Sequence, residues 1–211
     1  MIVTLDNARR EQLLFQPARD VSGELVGLEV ISAGPGDAAL FASKLTLLAQ
    51  SELFFIRRKL TAWIAVTPAI AGALGADAAL LASARRFPFL ALMVDEAFSD
   101  PALLARLADD FPLVLANFGA GDAPSGFAFS GPFSAVTFDA AFLHRQLSRP
   151  SFTPFMRALM AQMSPAFSAV MAAGVDDEFI RSQLAPWGLN AMKGGLWPAV
   201  GIEQLTRLVK E

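Results

Sequence analysis

The chain has 211 residues, of which 54% are hydrophobic, and its mean hydropathy is +0.46. This length and composition allow one domain with a large buried core, and we expect a single domain over residues 1–211. The absence of cysteine excludes disulfides and thiolate metal sites, and the single histidine excludes a multi-histidine metal site. The net charge is −3 and the basic residues form only short clusters, which argues against direct nucleic-acid binding.

The N-terminal residues lack the basic region and the long apolar core of a signal peptide, so we expect a cytoplasmic protein. Residues 62–84 form the one stretch that is long and apolar enough to suggest a membrane span. This stretch contains Pro68 and a central Asp77, and a charge at the bilayer centre costs about 2.5–3.5 kcal/mol. A buried strand over residues 62–66 followed by an alanine-rich helix is therefore the preferred interpretation.

The first half of the chain alternates between helical and strand patterns. The predicted elements are a helix over residues 5–14 capped by Asp6, an extended segment over 15–20, a strand over 25–31, a helix over 37–59 capped by Asp37, and a strand over 87–94. The extended segment and the strand after it are predicted to form a hairpin. Residues 87–94 are too continuously apolar for a half-exposed strand, which predicts a strand buried on both faces.

The second half continues the alternation with short loops and no low-complexity linker. The predicted elements are a helix over residues 100–110, a strand from 113 that ends at a Gly-x-Gly turn, a loop over 122–132 with at most a short helical turn, a strand over 135–138, a helix over 152–163, a strand over 167–172, a helix over 176–184, a strand over 189–192 and a helix over 202–209. This order predicts an α/β fold with a mostly parallel barrel or sheet. The chain is shorter than the roughly 250 residues of a typical eight-fold barrel, so some elements must be trimmed.

The carboxyl ends of the strands meet in the mouth of such a barrel, where active sites lie. The residues predicted at or just beyond these ends are Glu29, Ala65, Met93, Glu96, Ala116, Asn117, Thr137, Asp139, Ala173 and Lys193. This set is poor in the oxygen ligands that hard cations require. Glu29 lies in an otherwise apolar strand, where it is either a ligand or catalytic acid, or a strand-end residue in a salt bridge.

Five spaced motifs resemble those of the EAL-domain family. Residues 15–17 and 27–31 resemble its Tyr-Gln-Pro and Gly-x-Glu-Ala-Leu motifs, residues 117–121 its Asp-Asp-Phe-Gly-Thr-Gly loop, 136–139 its Leu-Lys-Ile-Asp, 172–176 its Ala-Glu-Gly-Val-Glu, and 193–198 its closing Gln-Gly-Tyr segment. EAL domains are (β/α)-barrel phosphodiesterases that cleave cyclic di-GMP with Mg²⁺ or Mn²⁺. The resemblance implies a shortened, modified TIM barrel in which the N-terminal hairpin supplies one antiparallel strand.

The chain departs from this family at most of the catalytic positions. Ala65, Met93, Ala116, Asn117 and Ala173 stand where the family has metal-binding Asn, Glu and Asp residues, Thr137 stands for its catalytic Lys, and Lys193 for a late Gln. Only Glu29 and Asp139 match. The resemblance therefore implies a degenerate domain with no catalytic residue, no metal and no cofactor.

Long runs of the sequence resemble non-enzymatic members of the family. That resemblance implies that the chain binds the FlhD subunit of the flagellar master regulator FlhDC, blocks its DNA binding and represses flagellar genes, without binding cyclic di-GMP, nucleic acid or membrane. One alternative is weak phosphodiesterase activity that uses Glu29, Glu96 and Asp139. Another is a non-catalytic cyclic di-GMP effector, for which Lys193 would be the main phosphate contact.

The remaining conspicuous residues have structural interpretations. His144 is expected at the surface or at a helix cap, and Met156, Met160 and Met163 at helical spacing are expected in the core. The three tryptophans, at positions 63, 187 and 197, are either core residues or partner anchors.

Overall fold

Eight strands close into a barrel in the order of the chain. The computed structural model describes residues 13–33, 36–96, 98, 100–121 and 125–209. The strands are β1 (Leu13–Arg19), β2 (Leu25–Ser32), β3 (Thr61–Ala65), β4 (Leu90–Val94), β5 (Leu113–Phe118), β6 (Ala135–Phe138), β7 (Ala169–Ala172) and β8 (Ala191–Met192). Strand β1 is antiparallel to both β2 and β8, whereas all other neighbours are parallel. The predicted barrel with one antiparallel strand is confirmed.

Helices surround the barrel. They are α1 (Ala38–Arg58), α2 (Pro68–Ala76), α3 (Ala78–Arg85), α4 (Pro101–Asp110), α5 (Ser125–Ser130), α6 (Ala140–Leu147), α7 (Phe152–Ala166) and α8 (Glu178–Leu184), with 3₁₀ helices at Ala185–Trp187 and Ile202–Leu208. Most of these α-helices begin at a side chain that accepts a hydrogen bond from the first turn, as Asp37 and Asp100 do. Capping satisfies backbone N–H groups that have no partner within the helix.

Several predicted elements need correction. The single alanine-rich helix after β3 is wrong, because Asp77 ends α2 and its carboxylate caps the separate helix α3. The last predicted helix is a 3₁₀ helix, and β4 begins at Leu90 rather than at residue 87. The predicted helix over residues 5–14 lies outside the described residues except for its last two, which belong to β1.

The main core lies between the strands and the helices. Helix α1 contributes Phe41, Leu45, Leu48 and Phe55, and all five residues of β4 are buried, as predicted. The three methionines of α7 are also buried, which confirms that they are core residues. Among the described residues, α1 is the one helix whose length and composition would allow a membrane span. Residues 62–84, the candidate from the sequence, are divided between β3, α2 and α3.

A second, smaller core fills the inside of the barrel, and Trp63 is its largest member. Around it lie Ala18, Ala91, Met93, Val114, Ala116, Ala135, Met171 and Ala191. The indole ring of Trp63 lies directly over Gly27 of the neighbouring strand β2 and leaves no space for a Cβ atom there. Five alanines, one valine and two methionines therefore fill the barrel around one large ring, and Trp63 is a core residue. Trp187 and Trp197 are half-buried against the outer core.

The contact between Gly27 and Trp63 predicts a large cost for one added methyl group. Gly27→Ala should lower the free energy of unfolding by about 1–3 kcal/mol or more, because the ring of Trp63 or the backbone of Thr61 must move. Gly72→Ala is the matched control, since an added Cβ meets nothing within 4 Å and Ala favours the helix. Urea denaturation of both variants measures the difference, and equal stabilities would contradict this packing.

Candidate functional site

The mouth of the barrel holds the residues predicted at the strand ends. Ala65 is exposed at the end of β3, whereas Met93 and Ala116 are buried at the ends of β4 and β5. Thr137 of β6 is also buried, and its hydroxyl oxygen has no hydrogen-bond partner among the described residues. The cavity beside it, of about 10 Å³, is lined also by Trp63 and Met171, and has room for one water molecule at most.

Glu29 of β2 forms an ion pair with Lys193, which directly follows β8. Each side chain is only 17% exposed, so the pair is partly shielded from water. The sequence left two roles open for Glu29, and in the structure its carboxylate is in a salt bridge. The ammonium group of Lys193 therefore provides the positive charge that a metal ion would otherwise provide at this carboxylate.

Lys44 of α1 adds a second buried cation near the same carboxylate. The residue is 6% exposed, and burial lowers the pKa of Lys44 by desolvation of the ammonium group, an effect that the Glu29 carboxylate partly offsets. Lys44 is not among the site residues predicted from the sequence. Its spacing from Phe41, Leu45 and Leu48 places it on the buried face of α1, and that signal could have identified it.

Glu96 lies after β4 and holds the loop that follows β5. Its two carboxylate oxygens accept hydrogen bonds from the backbone N–H groups of Gly119 and Gly121, each at 3.2 Å. Just before this loop, Asn117 of β5 is exposed and has a left-handed backbone with φ of 57°. Gly119 has φ of 88°, and a Cβ atom there would lie 2.6 Å from the ring of Phe142. Glu96 therefore positions this loop.

Asp139 and Ala173 lie on the next two connections of the mouth. The Asp139 carboxylate caps α6 by accepting a hydrogen bond from the N–H of Phe142 at 2.7 Å. Ala173 is half-buried and directly precedes Gly174. His144 is 40% exposed, in accord with a surface position, and its Nε2 donates to the carbonyl oxygen of Gly174 at 2.6 Å. No local pattern indicates this contact, because the two residues are 30 positions apart.

These residues do not fit the divalent metal of the EAL family. The side chains of Ala65, Met93 and Ala116 lack oxygen atoms, Glu29 is neutralised by Lys193, and Asp139 caps a helix. Over the ranges that the structure describes, no group of three or more His, Cys, Asp or Glu side chains could hold a metal ion. Mg²⁺ and Mn²⁺ prefer several oxygen ligands, so the residues present offer no metal-dependent step.

The fold is that of an EAL-like barrel, and the described residues of its mouth offer no group that could hold a metal ion. No family model matches the chain. The anti-FlhC(2)FlhD(4) factor YdiV of Salmonella arizonae is 40% identical, and the match covers the whole of both chains. The chain belongs to the family of this anti-FlhC(2)FlhD(4) factor.

Solved structures agree with this assignment. The crystal structure of the EAL-like domain protein YdiV matches with a TM-score of 0.85 at 33% identity, and covers 95% of this chain and 96% of that one. The EAL domain of Mycobacterium smegmatis DcpA matches with a TM-score of 0.78 at 20% identity, over 93% of this chain and 96% of that one. At this lower identity, the second match shows the shared barrel fold alone.

The ion pair between Glu29 and Lys193 makes a testable contribution to stability. Lys193→Met should lower the free energy of unfolding by about 1–3 kcal/mol, because it leaves a partly buried carboxylate without its charged partner. The double variant Glu29→Gln with Lys193→Met should recover much of this loss. A double-mutant cycle by urea denaturation measures the coupling, and additive effects of the two substitutions would contradict it.

The lowered pKa of Lys44 predicts a pH dependence of stability. Directly below the ordinary pKa of about 10.5, the unfolded chain binds a proton at Lys44 that the native protein does not. The contribution of Lys44 to the unfolding free energy should therefore rise with pH in this window. Lys44→Met should remove this contribution to the pH dependence of the unfolding free energy. Urea denaturation of both proteins between about pH 8 and about pH 10 tests this, and identical slopes would contradict it.

Proposed function

We propose that this protein represses flagellar gene expression by binding the FlhD subunit of FlhDC and preventing the regulator from binding DNA. The main support is the full-length match to proteins named anti-FlhC(2)FlhD(4) factor, at 40% identity for the Salmonella arizonae protein. A match over the whole of both chains also supports one domain over residues 1–211. Since FlhDC acts on DNA, the proposed location is the cytoplasm.

The protein is proposed to act by contact and without catalysis. The three acids that a weak phosphodiesterase would need each have another partner. Glu29 pairs with Lys193, Glu96 accepts from Gly119 and Gly121, and Asp139 caps α6. A general base or metal ligand must be available to the reacting groups, and these carboxylates already satisfy other charges or N–H groups. We therefore interpret all ten strand-end positions as remnants of an EAL site.

Cyclic di-GMP binding is not part of the proposed function. This ligand carries two phosphate groups, which need positive charge or hydrogen-bond donors. Lys193, the candidate contact for an effector, already pairs with Glu29, and the cavity beside Thr137 holds one water at most. The likeness to the EAL domain of Mycobacterium smegmatis DcpA concerns the fold alone, so it adds no support for nucleotide binding.

The proposed function predicts a complex with FlhDC that can no longer bind DNA. Purified protein should co-elute with FlhDC and with FlhD alone in size-exclusion chromatography, and should not co-elute with FlhC alone. Increasing amounts should abolish the shift of flagellar promoter DNA by FlhDC in a gel assay. A normal DNA shift at saturating protein, or binding to FlhC alone, would contradict the proposal.

The same preparation distinguishes the alternatives. Isothermal titration with cyclic di-GMP should give no binding heat, and incubation of cyclic di-GMP with Mn²⁺ should give no linear product. Heat that disappears in Lys193→Met would favour an effector. Hydrolysis that disappears in Glu29→Gln would favour a weak enzyme. An authentic EAL phosphodiesterase assayed in parallel is the positive control.

A further inference from the structure

A large groove lies at the end of the barrel opposite the mouth. It has a volume of about 650 Å³, within the usual range of ligand sites, and lies where β1 ends and β2 begins. Its walls are the β1–β2 turn, the end of α1 and the C-terminal 3₁₀ helix. The lining residues that carry charge are Arg19, Glu24, Arg58 and Arg207. Three arginines and one acid thus line this groove in a chain of net charge −3.

Arg19 gives the groove a fixed wall. Its Nη1 donates to the carbonyl oxygen of Gly23 at 2.7 Å, and its Nη2 donates to that of Leu208 at 2.8 Å. These bonds join the β1–β2 turn to the C-terminal 3₁₀ helix across the groove. A surface that is already ordered loses less conformational entropy when it binds a partner.

Arg58 and Arg207 supply the available charge. Both are exposed, and neither guanidinium group has a hydrogen bond or ion pair with another described residue. Arginine binds carboxylates through two parallel hydrogen bonds, a geometry that favours acidic side chains. The two guanidinium groups are therefore available to an acidic partner. Lys193 in the mouth is not, because it already pairs with Glu29.

Apolar surface lies between these charges. Leu25, Leu60, Trp197 and Leu208 line the groove, and all but Leu60 are partly exposed. Trp and Arg are the residue types that most often carry the binding energy of protein interfaces. A small anion such as phosphate would use the guanidinium groups and leave this apolar surface uncovered. A peptide with acidic and apolar side chains would cover both.

We propose that this groove is the docking surface for an acidic, partly apolar segment of FlhDC, an inference that rests on the proposed function. Acidic side chains of the segment pair with Arg58 and Arg207, and an apolar side chain packs against Trp197. Partner binding then takes place at the amino ends of the parallel strands, away from the former EAL site.

Charge reversal of the two exposed arginines tests the proposal. The double variant Arg58→Glu with Arg207→Glu should lower the affinity for FlhDC by about tenfold or more, measured by biolayer interferometry. The matched control is Arg149→Glu with Arg157→Glu, which changes the net charge equally at exposed positions that do not line the groove. The control should bind as the unmodified protein does. Thermal denaturation verifies that both variants fold, and Arg19 is left unchanged because it holds the groove together.

The outcomes separate this proposal from the proposed function. If the unmodified protein binds FlhDC and the groove variant binds equally well, the groove proposal is overturned and the proposed function stands. If the unmodified protein does not bind FlhDC, both are overturned. Inorganic phosphate serves as the probe for a small-anion site. Phosphate binding that the groove variant loses while it keeps its FlhDC affinity would also overturn the docking proposal.

Discussion

Closure of the barrel between its last strand and its first is the constraint on which the structure depends. Strand β8 has two residues, and it pairs with β1 through the single pair Arg19 and Met192. So short a ladder leaves few backbone hydrogen bonds to hold the barrel shut. Side chains and the C-terminal segment must therefore complete the closure.

Three side-chain contacts serve this purpose. At the mouth, Glu29 of β2 pairs across β1 with Lys193, which lies 164 positions later in the chain. At the same level of β1, the side chain of Gln16, the cross-strand partner of Glu29, donates to the carbonyl oxygen of Trp197 at 2.7 Å. At the opposite end, Arg19 bonds Leu208 at 2.8 Å. The ion pair in the barrel mouth is thus also a closing contact between β2 and the residue after β8.

Local patterns predicted much of this fold, and distant contacts account for what they missed. The alternation of apolar runs and the aspartate caps placed β4, α1 and α4 close to their observed positions, because these signals act within one element. The partner of Glu29 could not be predicted, since Lys193 reaches it only after the barrel closes. Likewise, the sequence placed Glu96 among possible ligands, and only the fold brings it to the N–H groups of the β5 loop.

The loop after β5 owes its shape to its own backbone and to two neighbouring side chains. Its geometry depends on the positive φ of Gly119, on the ring of Phe142 packed against that glycine, and on the Glu96 carboxylate. None of these contacts involves a metal-binding side chain. Ala116, in contrast, is buried beside Met93 in the inner core, where an unpaired carboxylate would be costly to desolvate. Apolar residues at positions 93 and 116 therefore leave the loop contacts intact and favour packing of the inner core.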